Sequence, residues 1–533
     1  MVNLVPLFTG NASLILFYAL FISTVATIIL FRIPRFRVIT KFLITRDKDI
    51  VLIIEPYLIL LLSLLVTWII ISRRFLAHFT PQGFDTASYI YYAELLRYGN
   101  YTEVFTSAKI VPYLISYLIY ELSGESIFLT GILLPYVFST IYVLLIFLTV
   151  NIIKKDKLLA SLCSLSTPLT FFFVRLTYDL LAQTLVLGLV VLALALFSRV
   201  VNEFSMRSLL YFAFSLLMII LIHSYTAILT LPFLSVAMIY YFFSQQTITK
   251  DKLIILMTII ALSAIITLVI LYDRIMWFLF TVIPREFHFS IISTQYWEGF
   301  VRSEVSLVWL VSIVGVLYMG ADQDSFNHIF SLWLIYIVII VFTTGYIHSY
   351  RFLLYIPEGI YMGFGLYFMI KKFPIKPRKI QEKILGLALV TVLLLSQFMA
   401  VYPRAYIKAY VYYPPNETVS QLYYIREYYG FGNKNILVMV YDGYRGSYWW
   451  VYAITGAEIF IGSLESLVVN QTDILNRRIE INNDTTIVFG THIYGAIPEI
   501  VVVHGEKISS GIYIIKFREL IKYFSETTTL QHI

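Results

Sequence analysis

The stretch EPYLILLLSLLVTWIIIS, residues 55–72, is followed closely by PQGFDTASYIYYAELLRYGNY, residues 81–101. The first is long enough to cross a bilayer, whose hydrocarbon core takes roughly 20 apolar residues of helix. The second presents Asp85 at the start of a Tyr-rich, helix-like segment. An aspartate in hydrocarbon costs about 2.5–3.5 kcal/mol. The chain therefore leaves the membrane here, and Asp85 belongs to the interface or to a wet cavity.

The rest of the sequence has the same character. Of 533 residues, 59% are hydrophobic, 17% aromatic and only 13% charged, against about 25% charged in an average soluble domain. This is the composition of a polytopic helical membrane protein. The aromatic excess is mostly 42 Tyr and 41 Phe; tyrosine suits membrane interfaces and sugar-binding surfaces because one end is apolar and the other wet. The single cysteine, Cys163, lies in an apolar run and excludes an intramolecular disulfide or a cysteine metal site. The net charge of +7 is spread in short blocks between apolar runs, a topology signal and not a nucleic-acid footprint.

Span-length runs fall near 11–31, 50–72, 126–150, 157–175, 179–198, 207–223, 226–243, 252–272, 304–320, 327–345, 351–370 and 384–402, about twelve in all. The first lacks a basic leader and a small-residue cleavage pattern, so it is expected to be retained. The segment 109–121 is too short to span and is expected to pack along the outer surface. The loops 32–49 and 371–383 carry six basic residues each, which puts them in the cytoplasm and puts the N-terminus, Asp85, the loop 273–303 and the C-terminal region outside. The sequons at Asn11, Asn100, Asn416, Asn470 and Asn483 all fall on that outer side. Three parts are expected: an extra N-terminal span with a basic loop (1–49), a transmembrane domain (50–402) carrying an interfacial helix (85–98), and an extracytoplasmic domain (403–533). In the last, a helix at 417–429 and strand-like runs at 435–442, 485–494, 499–505 and 511–517 point to a small α/β or α+β fold.

Polar residues gather at the expected outer ends of the spans. Asp85 is either a helix cap or a reactive carboxylate. In the helix after it, Ile90, Ala93 and Leu96 would lie along the membrane, with Glu94 and Arg97 on the wet side. Arg175 and Asp179 are four apart and share a helix face, either as a local ion pair or as a phosphate-binding arginine held by its carboxylate. His223 occupies an expected tight turn between two short spans, either as a satisfied interfacial histidine or as a donor to phosphate or sugar. The loop 273–303 offers His288, Trp297 and Glu298, as a lid or as an aromatic belt. In GYIHSYRFLLYIPEGIYMG (345–363), His348 and Tyr350 precede Arg351, which opens a span containing Pro357. A secondary transporter would instead place polar groups and broken helices near the midplane.

FDTASYIYYAELLRYG, the P-x6-R-x3-D pattern of Pro168, Arg175 and Asp179, the HSYT turn, the R-x5-P of Arg351 and Pro357, and YWWVYAITGAEIFIG (448–462) together resemble the GT-C superfamily of integral-membrane glycosyltransferases. The resemblance covers most of residues 50–533. It implies a GT-C-like fold and an inverting transfer of one sugar from a polyprenyl-phosphate donor, on the extracytoplasmic face, to a glycan, lipid or protein acceptor. It implies Asp85 as general base, with Arg175, Arg351 and His223 as donor phosphate ligands. Asp179, Glu94, His348 and Tyr350 would support them, and Trp297, Glu298 and His288 would contact the acceptor or form a lid.

Two departures matter. The first outer loop lacks a carboxylate beside Asp85, so Glu94 or Glu103 would have to serve. Trp449-Trp450-Val451-Tyr452 stands where oligosaccharyltransferases carry WWDYG, which argues against transfer of a whole glycan. With a phosphate monoester leaving group and no DxD-type pair, no metal and no cofactor are expected, and membrane lipids but no nucleic acid are expected as partners. A glycan ligase or polymerase of the same fold, a transporter or flippase of lipid-linked sugars, and a non-catalytic sugar-binding scaffold remain as alternatives.

Overall fold

The computed structural model describes residues 56–78, 84–105, 107, 109–245, 249–277, 307–321, 324–343, 350–372, 391–399, 401–402, 415–440, 448–469, 471, 479 and 481–530. The expected first span and the residues His288, Trp297, Glu298 and His348 lie outside this set. Helices follow in chain order as α1 (Pro56–His78), α2 (Phe84–Arg97), α3 (Tyr101–Phe105), α4 (Ile110–Leu122), α5 (Ile127–Lys154), α6 (Lys157–Ser166), α7 (Phe171–Asp179), α8 (Leu181–Asn202), α9 (Met206–Tyr240), α10 (Lys250–Trp277), α11 (Leu307–Ala321), α12 (Ser325–Thr343), α13 (Tyr350–Leu353), α14 (Glu358–Lys372), α15 (Asn416–Tyr429) and α16 (Tyr448–Thr455). The chain is a polytopic helical membrane protein with a C-terminal mixed α/β region. Among the described residues five helices are long and apolar enough to cross a membrane, within Pro56–Arg73, Ile127–Lys154, Leu181–Asn202, Met206–Phe243 and Lys250–Tyr272.

The chain divides into two compact units. The first holds Met1–Ala77, Thr106–Val111 and Pro135–Ile407. Its centre is α8, where residues from Leu181 to Val201 are buried on every face, as expected of a helix apolar all round. Its periphery is different. Leu58, Leu61, Leu65 and Trp68 on α1, and Ile254, Leu262, Ile265 and Val269 on α10, are exposed. Such rows would be an aggregation hazard in water and are ordinary against lipid tails.

Glycine sets how closely α14 packs. Its Gly359 and Gly363, one helical turn apart, lie against Thr167 and Cys163; a Cβ on Gly363 would come within 2.5 Å of the Cys163 Cα. On another face Gly365 meets the carbonyl of Val311, and Gly315 of α11 meets that of Tyr361, where an added Cβ would sit only 1.7 Å from the oxygen. Lipid tails are as apolar as leucine, so close backbone approach replaces hydrophobic segregation as the source of helix cohesion. At the far end of the same pair, Asp156 caps α6 by accepting from the Leu159 N–H at 3.0 Å, and Tyr367 of α14 donates to the other carboxylate oxygen.

The second unit joins Lys408–Ile533 to His78–Phe105 and Pro112–Leu134. These early segments thus fold with the C-terminal region. Five strands, β1 (Ile436–Val440), β2 (Glu458–Ile461), β3 (Thr486–Gly490), β4 (Glu506–Ser509) and β5 (Ile512–Lys516), form one sheet in the order β2-β1-β3-β5-β4. The β1/β2 and β1/β3 pairs are parallel, and β3/β5 and β4/β5 antiparallel. Both central strands β1 and β3 are buried along their whole length, the mark of a sheet covered on two faces.

The expectation at 499–505 is corrected. EIVVVH forms a helix, Glu499–His504, behind Pro498, and the strand follows at Glu506–Ser509. Proline presets the first helical turn. Burial of Ile500 and Val501 on one side, with Val502 and Val503 exposed, outweighs the β-branched preference for strand.

Candidate functional site

In the first unit, three interruptions of apolar helical runs meet. The first separates α6 from α7: a 3-10 turn, Thr167–Leu169, contains Pro168. Helix α6 has 10 residues, about 15 Å at 1.5 Å per residue, roughly half the thickness of a hydrocarbon core. Thr170 starts the chain again, its side chain accepting from the Phe173 N–H at 3.2 Å. The second interruption is His223, with φ −160° and ψ 85° inside α9. The third is the stretch 354–357, ending in Pro357, between α13 and α14.

Specific contacts bring the three together. A Cβ on Gly359 would lie 2.4 Å from Thr167 Oγ1, so the start of α14 abuts the first break. Thr226 Oγ1 hydrogen-bonds His223 Nδ1 at 2.7 Å and the Tyr355 hydroxyl at 2.8 Å, which joins the second break to the third. Carbonyls at the breaks find donors from other helices. Trp333 Nε1 of α12 donates to Tyr355 O at 2.9 Å, and the buried Gln397 amide donates to Leu169 O at 2.6 Å. Buried irregular backbone is tolerated only where partners satisfy its polar groups in this way.

Glu358 opens α14 beside this junction. It is only 6% exposed, and its Oε2 has no hydrogen-bond partner. Tyr142 of α5 lies within its electrostatic reach and stacks at 6.3 Å on Phe173 of α7.

The second unit builds a different polar centre around α2. This helix was expected to lie in the membrane interface with Glu94 in water. The structure corrects the second point. Ala87, Tyr89, Ile90, Ala93 and Glu94 are all 0% exposed. Arg426 of α15 grips Glu94 with two parallel bonds, Nη1–Oε1 at 2.7 Å and Nη2–Oε2 at 2.9 Å, and the Tyr120 hydroxyl donates to Oε1 at 2.6 Å. Burial alone would lower Arg426, but the Glu94 hydrogen bond and charge outweigh it and hold the guanidinium above its usual range. Helix α16 packs on α2. The Tyr452 and Tyr91 rings are 4.1 Å apart; the Tyr452 hydroxyl donates to that of Tyr91 at 2.9 Å, which in turn donates to Glu103 Oε1 at 3.3 Å. Burial pushes Tyr452 up to about 12 and raises Tyr91 and Tyr120 as well. Helix α2 ends as the sequence suggests: Gly99 takes φ +77°, and Asn100 N–H bonds Leu95 O at 2.9 Å, a glycine C-cap.

Of the expected site residues, Asp85 lies in the first turn of α2, in the second unit. Arg175 and Asp179 lie in α7 just after the first break, and Tyr350 and Arg351 lie in α13 just before the third; their side chains, like that of Asp85, lie outside the described set. His223, expected at a turn between two short spans, sits at a kink between two helical segments of α9. Sequence inspection missed Tyr355, Glu358 and Arg426. Glu358 was legible as the lone carboxylate in the apolar run 351–370; nothing nearby in sequence pairs Arg426 with Glu94. Among the described residues no group of three or more His, Cys, Asp or Glu is placed to hold a metal ion. No protein-family model and no curated protein matches the chain.

Proposed function

We propose that this protein is an inverting glycosyltransferase of the GT-C type, with about twelve spans and an extracytoplasmic N-terminus and C-terminal region, that uses a polyprenyl-phosphate sugar. Asp85 takes the proton of the acceptor hydroxyl as its oxygen attacks the anomeric carbon. The bond from that carbon to the phosphate oxygen breaks, and the lipid phosphate leaves with the electron pair. Arg175 and Arg351 offset the charge that grows on it, and His223 donates to the same group.

What supports this reading is the position of these residues on their elements. Asp85 stands in the first turn of a helix anchored by a buried ion pair, and both arginines stand on the segments that flank helix breaks. The test incubates purified protein with radiolabelled polyprenyl-phosphate sugars and candidate acceptors. Asp85→Asn is expected to lower transfer by about 10²–10⁴-fold, the usual contribution of a positioned base. Equal product from both proteins removes Asp85 from the mechanism.

One observation favours a second reading. Broken helices and a buried carboxylate near mid-run are features of ion-coupled transporters. A transporter of lipid-linked sugars moves its substrate equally well with Asp85→Asn and transfers no sugar in purified form.

A further inference from the structure

We propose that the junction of α13 and α14 binds a small monovalent cation through the carboxylate of Glu358. The argument starts from an unbalanced group. Glu358 Oε2 is enclosed, and no donor among the described residues reaches it. Among the described residues no lysine, arginine or histidine makes an ion pair with Glu358. A buried carboxylate without a cation or donor is among the most costly arrangements in a protein interior. Within a membrane domain such groups mark ion paths and sites.

The surroundings narrow the ligand. The oxygen is walled in by protein, so a lipid head group or sugar does not reach it. One carboxylate balances one positive charge, whereas divalent ions usually draw on several carboxylates or keep several waters. The remaining ligands of an alkali ion are neutral oxygens, and the Thr167 hydroxyl lies 2.4 Å from where a Cβ on Gly359, the residue after Glu358, would sit. The inference rests on neither functional reading above.

The test measures thermal unfolding of the purified full-length protein in detergent. Lithium, sodium, potassium and choline chlorides are compared at one ionic strength, with choline as the ion too large to enter. Wild type is expected to gain about 3 °C or more, saturably, with at least one alkali cation. Glu358→Gln is expected to melt at one temperature in all four salts, no lower than wild type in choline. Identical wild-type melting in all four salts overturns the proposal, as does a cation shift that survives Glu358→Gln. If that variant does not fold, Glu358→Asp takes its place. Its shorter arm must raise the half-saturating cation concentration several-fold, and an unchanged value overturns the site. No sugar or lipid donor enters the assay, so its failure leaves the glycosyl-transfer reading to be judged by Asp85.

Discussion

Glu94 in the second unit and Glu358 in the first are both buried, yet they are treated in opposite ways. Glu94 receives a bidentate arginine and a tyrosine hydroxyl, so its charge is balanced and its geometry closed. Glu358 sits where helices break, with one oxygen unanswered among the described residues. The satisfied carboxylate is scaffold: it fixes α2, and with it the position of Asp85. The unsatisfied one is a place where something outside the chain can act. The two units also cohere differently. The second is built on a sheet and a buried arginine–carboxylate pair; the first adds backbone contact through glycine and hydrogen bonds at helix breaks to ring contacts and the Lys154–Asp324 pair.

The largest effect is expected where the first unit is tightest. Gly315→Val puts a branched side chain where even a Cβ meets the Tyr361 carbonyl at 1.7 Å. Helices α11 and α14 must separate, and size-exclusion chromatography in detergent should show loss of folded monomer. A well-behaved monomer with wild-type melting would break the claim that backbone contact holds this unit.

Next comes the ion pair of the second unit. Arg426→Met strands Glu94 in a fully buried position and should destabilise the unit by about 3–5 kcal/mol, read as faster limited proteolysis within residues 415–530. The double variant Glu94→Gln with Arg426→Met removes both charges and should recover most of the loss. If the double variant is as unstable as the single one, packing and not charge pairing sets the effect.

The smallest effect concerns the tyrosine relay. The Tyr452 hydroxyl ordinarily titrates near 10 and is raised to about 12 by burial. Its folded-state value is the higher one, so its contribution is fully present below about pH 10 and is lost as pH climbs toward 12. Tyr452→Phe should cost about 1 kcal/mol at neutral pH, the typical worth of one hydrogen bond, and should make alkaline unfolding less steep. An alkaline profile identical to that of wild type would show that this hydroxyl is not what titrates.

Much was legible from the sequence alone. Apolar runs of bilayer length announce a polytopic membrane protein because lipid leaves the backbone few options besides helix. The helix at 417–429, the strands at 435–442 and 511–517, and the stop at Gly99 were readable from periodicity and turn chemistry, which act over a few residues. Tertiary structure decided the rest. Periodicity described α2 as a surface helix because Glu94 looks solvent-bound; its partner arrives from position 426, and no local rule carries a pairing over that separation. Pro168, His223 and Pro357 each announce a weak point in one helix. Only packing makes them one junction, because hydrogen bonds such as Thr226 to Tyr355 and the close approach of Gly359 to Thr167 are contacts between distant segments. Local sequence determines which element each segment can form; burial and charge balance, summed over the folded chain, determine which polar groups end up answered and which remain open.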